Sequence, residues 1–234
     1  MENKLLINKM KNAAELAWAA YGYYDLMTSD TNQLFVVLKD EKGEDKTDFS
    51  GNPVTQEITL TDIMDSSYAK HNVVGKDKWG KDFETVGTLK GYFSPTQAKR
   101  FFEKYDLLKH CPNTHSGFSA TLFKDTKADS KDSEYTLAIR GTEFKLEQIK
   151  DLINDYYIGT NNNDMNRVIE QYFDMLFFYE ETLKPLMQEK GITKINVIGH
   201  SLGGYLTQLF ALSYPSIINE VYTYNTSLES RSVA

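Results

Sequence analysis

Several things are scarce in this sequence, and each scarcity excludes something. Cysteine occurs once, at Cys111, so no intrachain disulfide can form and nothing depends on an oxidising compartment. A lone cysteine can serve as a nucleophile, but Cys111 stands before Pro112 and reads as a small residue at a turn. No second thiol or suitably spaced histidine pair accompanies it, so neither a metal site nor a cofactor is expected. Positive charge is short as well. Lys and Arg number 26 against 33 Asp and Glu, a net charge of −7. That balance argues against a nucleic-acid partner, which needs clustered cations on its phosphates, and against strong adsorption to anionic lipid. Long hydrophobic runs are missing too: no stretch approaches the roughly 20 apolar residues of a membrane span. Near the N-terminus, Lys4, Lys9 and Lys11 precede an alanine-rich run that loosely imitates a signal peptide. Asn8, Lys9 and Glu15 interrupt it where a secretory segment should be continuous, and the periodicity predicts an amphipathic helix over 5–27 instead.

What is present fits one α/β domain over residues 1–234, since single α/β domains often run to 200–250 residues. Leu34-Phe35-Val36-Val37-Leu38 reads as a buried strand. Residues 39–57 and 65–91 lack a clear period and read as surface excursions or mobile loops. Ser94-Pro95 opens a helix, with Ala98, Phe101, Phe102, Tyr105 and Leu108 on its apolar face. Phe118, Ala120 and Leu122 alternate with polar residues and pair as a hairpin with Tyr135–Ile139, the mixed charges of 124–134 forming a solvated tip. Residues 165–190 keep the helical period, with Pro185 expected to kink the last turns and Gly191 to end them. A β-branched strand lies within 192–198, a helix runs from Leu202 to about Tyr214, and Val221–Tyr224 is a last strand.

The segment with chemistry is Gly199-His200-Ser201-Leu202-Gly203. The pattern G-x-S-x-G is common by chance, but here it lies between a β-branched strand and an amphipathic helix, the setting of a nucleophile elbow. So tight a turn strains the serine backbone, and Gly199 and Gly203 remove side chains that would collide there. The Ser201 oxygen is expected in the open at the carboxyl end of the sheet, beside a helix N-terminus that favours developing negative charge. Attack on an ester creates an oxyanion that needs preorganised N–H donors. The backbone N–H of Leu202 is one candidate. Thr142, at the end of an earlier strand, is the second, although an ordinary strand-ending turn would look the same.

Three segments in order resemble the class 3 lipases, and most of all their bacterial lipase and phospholipase A1 branch. They are Ala138-Ile139-Arg140-Gly141-Thr142, Asp151-Leu152-Ile153-Asn154-Asp155-Tyr156 and Gly199–Gly204. The resemblance covers about residues 10–226. It implies an α/β-hydrolase fold, a mostly parallel sheet flanked by helices, and a lipid or other acyl-ester substrate. It also implies that Thr142 is an oxyanion donor and that a lid occupies roughly 143–158.

The catalytic apparatus is incomplete. A serine hydroxyl needs a base, and the base an orienting acid, which in this fold follow the serine as acid then histidine. Beyond Ser201 there is no histidine or aspartate, only Glu220 and Glu229. Of His71, His110, His115 and His200, only His200 adjoins the serine, and neighbouring side chains on a strand point apart, so it reads as a packing group. The expectation is a lipase-like domain lacking its C-terminal strands, with a complementing C-terminal fragment as a possible partner. Two other readings stay open: an inactive lipase-like remnant that binds lipid or a partner, and a thioesterase or soluble esterase.

Overall fold

The computed structural model describes residues 2–27, 34–76, 83–131, 134–141 and 163–226. The chain divides into two compact units, one of Met1–Tyr21 with Tyr105–Ala234, the other of Gly22–Lys104.

The Gly22–Lys104 unit holds a four-stranded antiparallel sheet of β1 (Leu34–Val37), β2 (Thr55–Glu57), β3 (Asn72–Lys76) and β4 (Phe83–Thr88), in the order β2-β1-β3-β4. Strands β3 and β4 lie in sequence that reads as loop. The reason is local: the register shifts between Val73 and Val74, both buried, so a bulge breaks the alternation that announces a strand. Helix α2 (Leu60–Met64) starts from a capping box in which Thr59 and Asp62 satisfy each other's amides. Helix α3 (Pro95–Phe102) has Ser94 as its cap and buries Ala98 and Phe101. It stops well short of the expected Leu108.

The other unit is built on a five-stranded sheet in the order β5-β6-β7-β8-β9. Its strands are β5 (Tyr105–Cys111), β6 (Ala120–Asp125), β7 (Tyr135–Ile139), β8 (Ile195–His200) and β9 (Ile218–Tyr224). Tyr105 and Leu108 thus sit on a strand, not on α3. Their spacing suits a helix, but pairing of Tyr105–Cys111 with β6 decides the outcome. The sheet is mixed: β5/β6 and β6/β7 are antiparallel, β7/β8 and β8/β9 parallel. Short connections make the first two pairings antiparallel, while helical crossovers make the last two parallel.

Helix α1 (Glu2–Ala19) is shorter than expected, because the chain turns at Ala20 and Tyr21. The crossover before β8 consists of α4 (Asn163–Phe178), a π-helical turn (Tyr179–Leu183) and α5 (Lys184–Lys190), closed by Gly191 at φ 65°. The irregularity expected at Pro185 is that π turn, in which Lys184 N–H donates to Tyr179 O just ahead of the residue that has no N–H to give. Helix α6 (Leu202–Ser213) links β8 to β9.

Alternation along the strands assigns the layers. Leu137, Ile139, Ile195 and Val197 cluster with Met175, Leu183, Leu206 and Phe210 of the α4–α6 side. On the opposite face, Glu220 pairs with Lys9 and Tyr224 hydroxyl donates to Met10 O, so α1 covers that side. With helices on both faces, Ile195 to Gly199 of β8 are all buried.

Candidate active site

Strand β8 delivers the chain to Ser201 and α6 carries it away. Between them Ser201 adopts φ 57°, ψ −128°, the left-handed half of backbone space that a non-glycine residue enters only under constraint. Such a residue costs of order 1–3 kcal/mol and persists only where its surroundings over-determine it. The constraints are visible. Ser201 N–H donates to Tyr224 O at 2.9 Å, and Ser201 O accepts from Gly204 N–H at 3.0 Å. A side chain on Gly199 would strike the Gly203 backbone, and one on Gly203 would strike Ile139 O and the backbone of Arg140 and Gly141. The elbow is therefore wedged between β9 and the end of β7.

Ser201 itself is buried, with 7 % of its surface exposed, where the sequence expectation puts its hydroxyl in the open. The described residues offer that hydroxyl no hydrogen-bond partner. Leu202 opens α6, and its amide meets no acceptor among the described residues, as the first amides of a helix generally lack one. Thr142 and the segment 143–158 lie outside the described residues. Gly141 is described: a side chain there would meet His200 O and stand 3.4 Å from the Gly203 nitrogen. The chain thus leaves β7 alongside the elbow.

The histidines are all described, and the structure gives none of them to Ser201. The His200 ring turns to the α1 side. There Nδ1 lies 3.1 Å from the Tyr21 hydroxyl and Nε2 lies 3.5 Å from Asn225 Nδ2, with Trp18 at its edge. His110 Nδ1 is 2.8 Å from Thr121 Oγ1, His115 is exposed between β5 and β6, and His71 belongs to the other unit. Glu220 is held by Lys9 and by the Tyr222 hydroxyl at 2.8 Å. No group of three or more metal-ligating side chains occurs among the described residues.

Sequence reasoning left Tyr21 without a role. Its ring lies under the buried Arg140 guanidinium, 6.0 Å away, and its hydroxyl sits where a Gly141 side chain would project, so it backs both β7 and the elbow. Nothing in the spacing joins residues 179 positions apart. Burial alone holds the His200 pKa below the usual 6.5. A histidine depressed in the fold binds fewer protons than the unfolded chain. Its contribution to stability is therefore complete above about pH 6.5 and is lost as pH falls through the folded value. An NMR titration of the His200 ring should give a midpoint below 6.5, and a midpoint above it would mean a charged, solvated imidazole.

Ser201 is a positive-φ serine between a parallel strand and a helix N-terminus, the backbone placement that the sequence expectation of a nucleophile elbow calls for. The fold is that of the α/β hydrolases. A family profile described as the alpha/beta hydrolase fold matches residues 169–233, from within α4 through β9. Among solved structures, the Lip2 lipase of Yarrowia lipolytica is similar at 22 % identity and a TM-score of 0.40, over 56 % of this chain and 49 % of that one. A lipase from Rhizopus microsporus var. chinensis is similar at 16 % identity and a TM-score of 0.41, over 56 % and 48 %. The chain spans about half the length of each of these lipases. Protein ECM18 of Saccharomyces cerevisiae is 36 % identical over 66 residues, which is 28 % of this chain and 14 % of that protein. No helix among the described residues is long and apolar enough to cross a membrane.

Proposed function

We propose that this chain carries the nucleophile half of a serine carboxylic-ester hydrolase acting on lipids, of the triacylglycerol lipase or phospholipase A1 type. The observation behind this is the strained Ser201 at φ 57°, wedged by glycine contacts between β7, β9 and α6. Ser201 Oγ attacks the acyl carbon, and the oxygen that becomes anionic is received by the amides of Leu202 and Thr142. Thr142 directly follows Gly141, whose backbone adjoins that of Gly203. The choice of lipid esters rests on the motif resemblance, since a fold by itself does not fix substrate.

Removing the serine proton is the step this chain leaves uncovered. None of its histidines is directed to Ser201, and a complementing polypeptide that brings histidine and aspartate is the partner the reading requires. A second reading, a lipase-like remnant without turnover, draws on the same observation and on the burial of Ser201.

A fluorophosphonate probe separates the two. An oxyanion hole without its triad retains roughly 10³–10⁴-fold catalysis over water. Slow phosphonylation confined to Ser201 and absent in Ser201→Ala is therefore expected, with mass spectrometry locating the adduct. A folded protein that takes no label at Ser201 supports the remnant and removes the hydrolase reading.

A further inference from the structure

We propose that Tyr21 is a positioning residue for Ser201: its hydroxyl, bound to His200 Nδ1, clamps the peptide that joins His200 to the strained serine. The catalytic meaning of the clamp rests on the hydrolase reading, while the clamp itself rests on geometry. Pairing of β7 with β8 ends at Ile139 opposite Gly199, one residue short of His200. Beyond that rung Arg140 turns its N–H the other way, to Ser119 O at 3.0 Å. Pairing with β9 continues one step further, to His200 opposite Tyr224. The residue that enters the elbow is therefore laddered on one flank only, and Tyr21 joins it to the other.

Tyr21 reaches this point because the end of α1 is slender. Ala19 and Ala20 are fully buried, so the chain packs closely there, and Tyr21 N–H donates to Trp18 O at 3.2 Å as the helix turns off. The buried Tyr21 ring lies against the Arg140 guanidinium. Its hydroxyl stands 2.7 Å from where a side-chain carbon on Gly141 would lie and 3.1 Å from His200 Nδ1. The imidazole is thus held from three directions: Tyr21 at Nδ1, Asn225 Nδ2 at 3.5 Å from Nε2, and the Trp18 ring at its edge. A phenol hydroxyl both donates and accepts, so it satisfies Nδ1 in either neutral tautomer.

The peptide between His200 and Ser201 is where the strain can escape. Rotating it would return Ser201 from φ 57° to the ordinary negative range. Its N–H is the group that donates to Tyr224 O at 2.9 Å, and its carbonyl oxygen lies 2.5 Å from where a Gly141 side chain would start. A flip therefore breaks the bond to β9 and moves the oxygen away from β7. An anchored imidazole fixes the direction of the His200 side chain and so resists that rotation. Removal of the Tyr21 hydroxyl leaves Nδ1 part-buried without this partner, and the ring is drawn toward water.

Amide hydrogen exchange followed by NMR tests the clamp on the whole chain without requiring turnover. Tyr21→Phe keeps the ring against Arg140 and removes one oxygen. Protection of the Ser201 amide should fall about tenfold, the equivalent of one hydrogen bond, while that of Val197 in the middle of β8 stays as in wild type. Unchanged protection at Ser201, or a fall shared equally by Val197, overturns the proposal. Fluorophosphonate labelling supplies the chemical arm. Tyr21→Phe and His200→Ala should each slow labelling of Ser201 about tenfold. The double variant should be no slower than the slower single one, because both changes remove the same bond. Losses that multiply to about 100-fold overturn the clamp. A wild-type chain that takes no label, but whose Ser201 amide loses protection in Tyr21→Phe, removes the hydrolase reading and leaves the clamp standing.

Discussion

In a p-nitrophenyl ester assay the purified 234-residue chain is expected to turn over about 10⁶-fold more slowly than a complete Ser-His-Asp hydrolase. The magnitude follows from one missing function. At neutral pH a serine hydroxyl is a poor nucleophile until an adjacent base takes its proton. Here the nearest imidazole in sequence, His200, points to the α1 side of the sheet and is engaged with Tyr21 at 3.1 Å. His110 is engaged with Thr121 on β6. What remains is electrostatic: the Leu202 amide at the head of α6 and, in the proposed site, the Thr142 amide. Residual turnover should accordingly fall to background in Ser201→Ala and should be unchanged in His110→Ala. A rate within about 100-fold of a complete enzyme, abolished by Ser201→Ala, would place a competent base within this chain.

The second large effect is structural. Gly203→Ala should destabilise the protein by about 3 kcal/mol or more, the upper range for forcing an extra methyl into a packed site. The new carbon would meet Ile139 O and lie 2.7 Å from the Arg140 carbonyl carbon and the Gly141 nitrogen. These are backbone atoms of β7 and its extension, so no flexible side chain can swing away. For a chain of this size that loss lowers the melting temperature by roughly 6–12 °C. Gly43→Ala is the control. That position is also glycine with a positive φ of 79°, but nothing lies within 4 Å of an added carbon. Its cost is then backbone strain alone, and a thermal melt should show a clearly smaller shift. Equal losses at the two positions would mean that the elbow and β7 are not packed together.

The parts of this fold that sequence reveals are those where one pattern dominates. The stretch into Ser201 is legible because a β-branched run, two glycines and an apolar helix coincide within a few residues. The β6–β7 hairpin is legible because Ala120, Leu122, Leu137 and Ile139 alternate cleanly into the core. Patterns that conflict are misread. Tyr105 and Leu108 keep helical spacing with Phe101, yet the turn at Glu103–Lys104 releases them to pair with β6. Val73 and Val74 are consecutive and both buried, which hides a strand inside an apparent loop. Site residues divide in the same way. Ser201, Leu202, Gly199 and Gly203 stand in one motif, so the proposed site can be read from adjacent residues. Tyr21 touches the elbow only through tertiary packing, and no local signal announces that.

The bond from Ser201 N–H to Tyr224 O has a bearing on the order of assembly. During synthesis the acceptor emerges from the ribosome well after its donor, so a nascent chain already displaying β8 and α6 lacks one of the bonds that hold residue 201 at φ 57°. In the proposed hydrolase, docking of β9 would thus complete the restraint on residue 201 only after the strand and helix that carry it have been made.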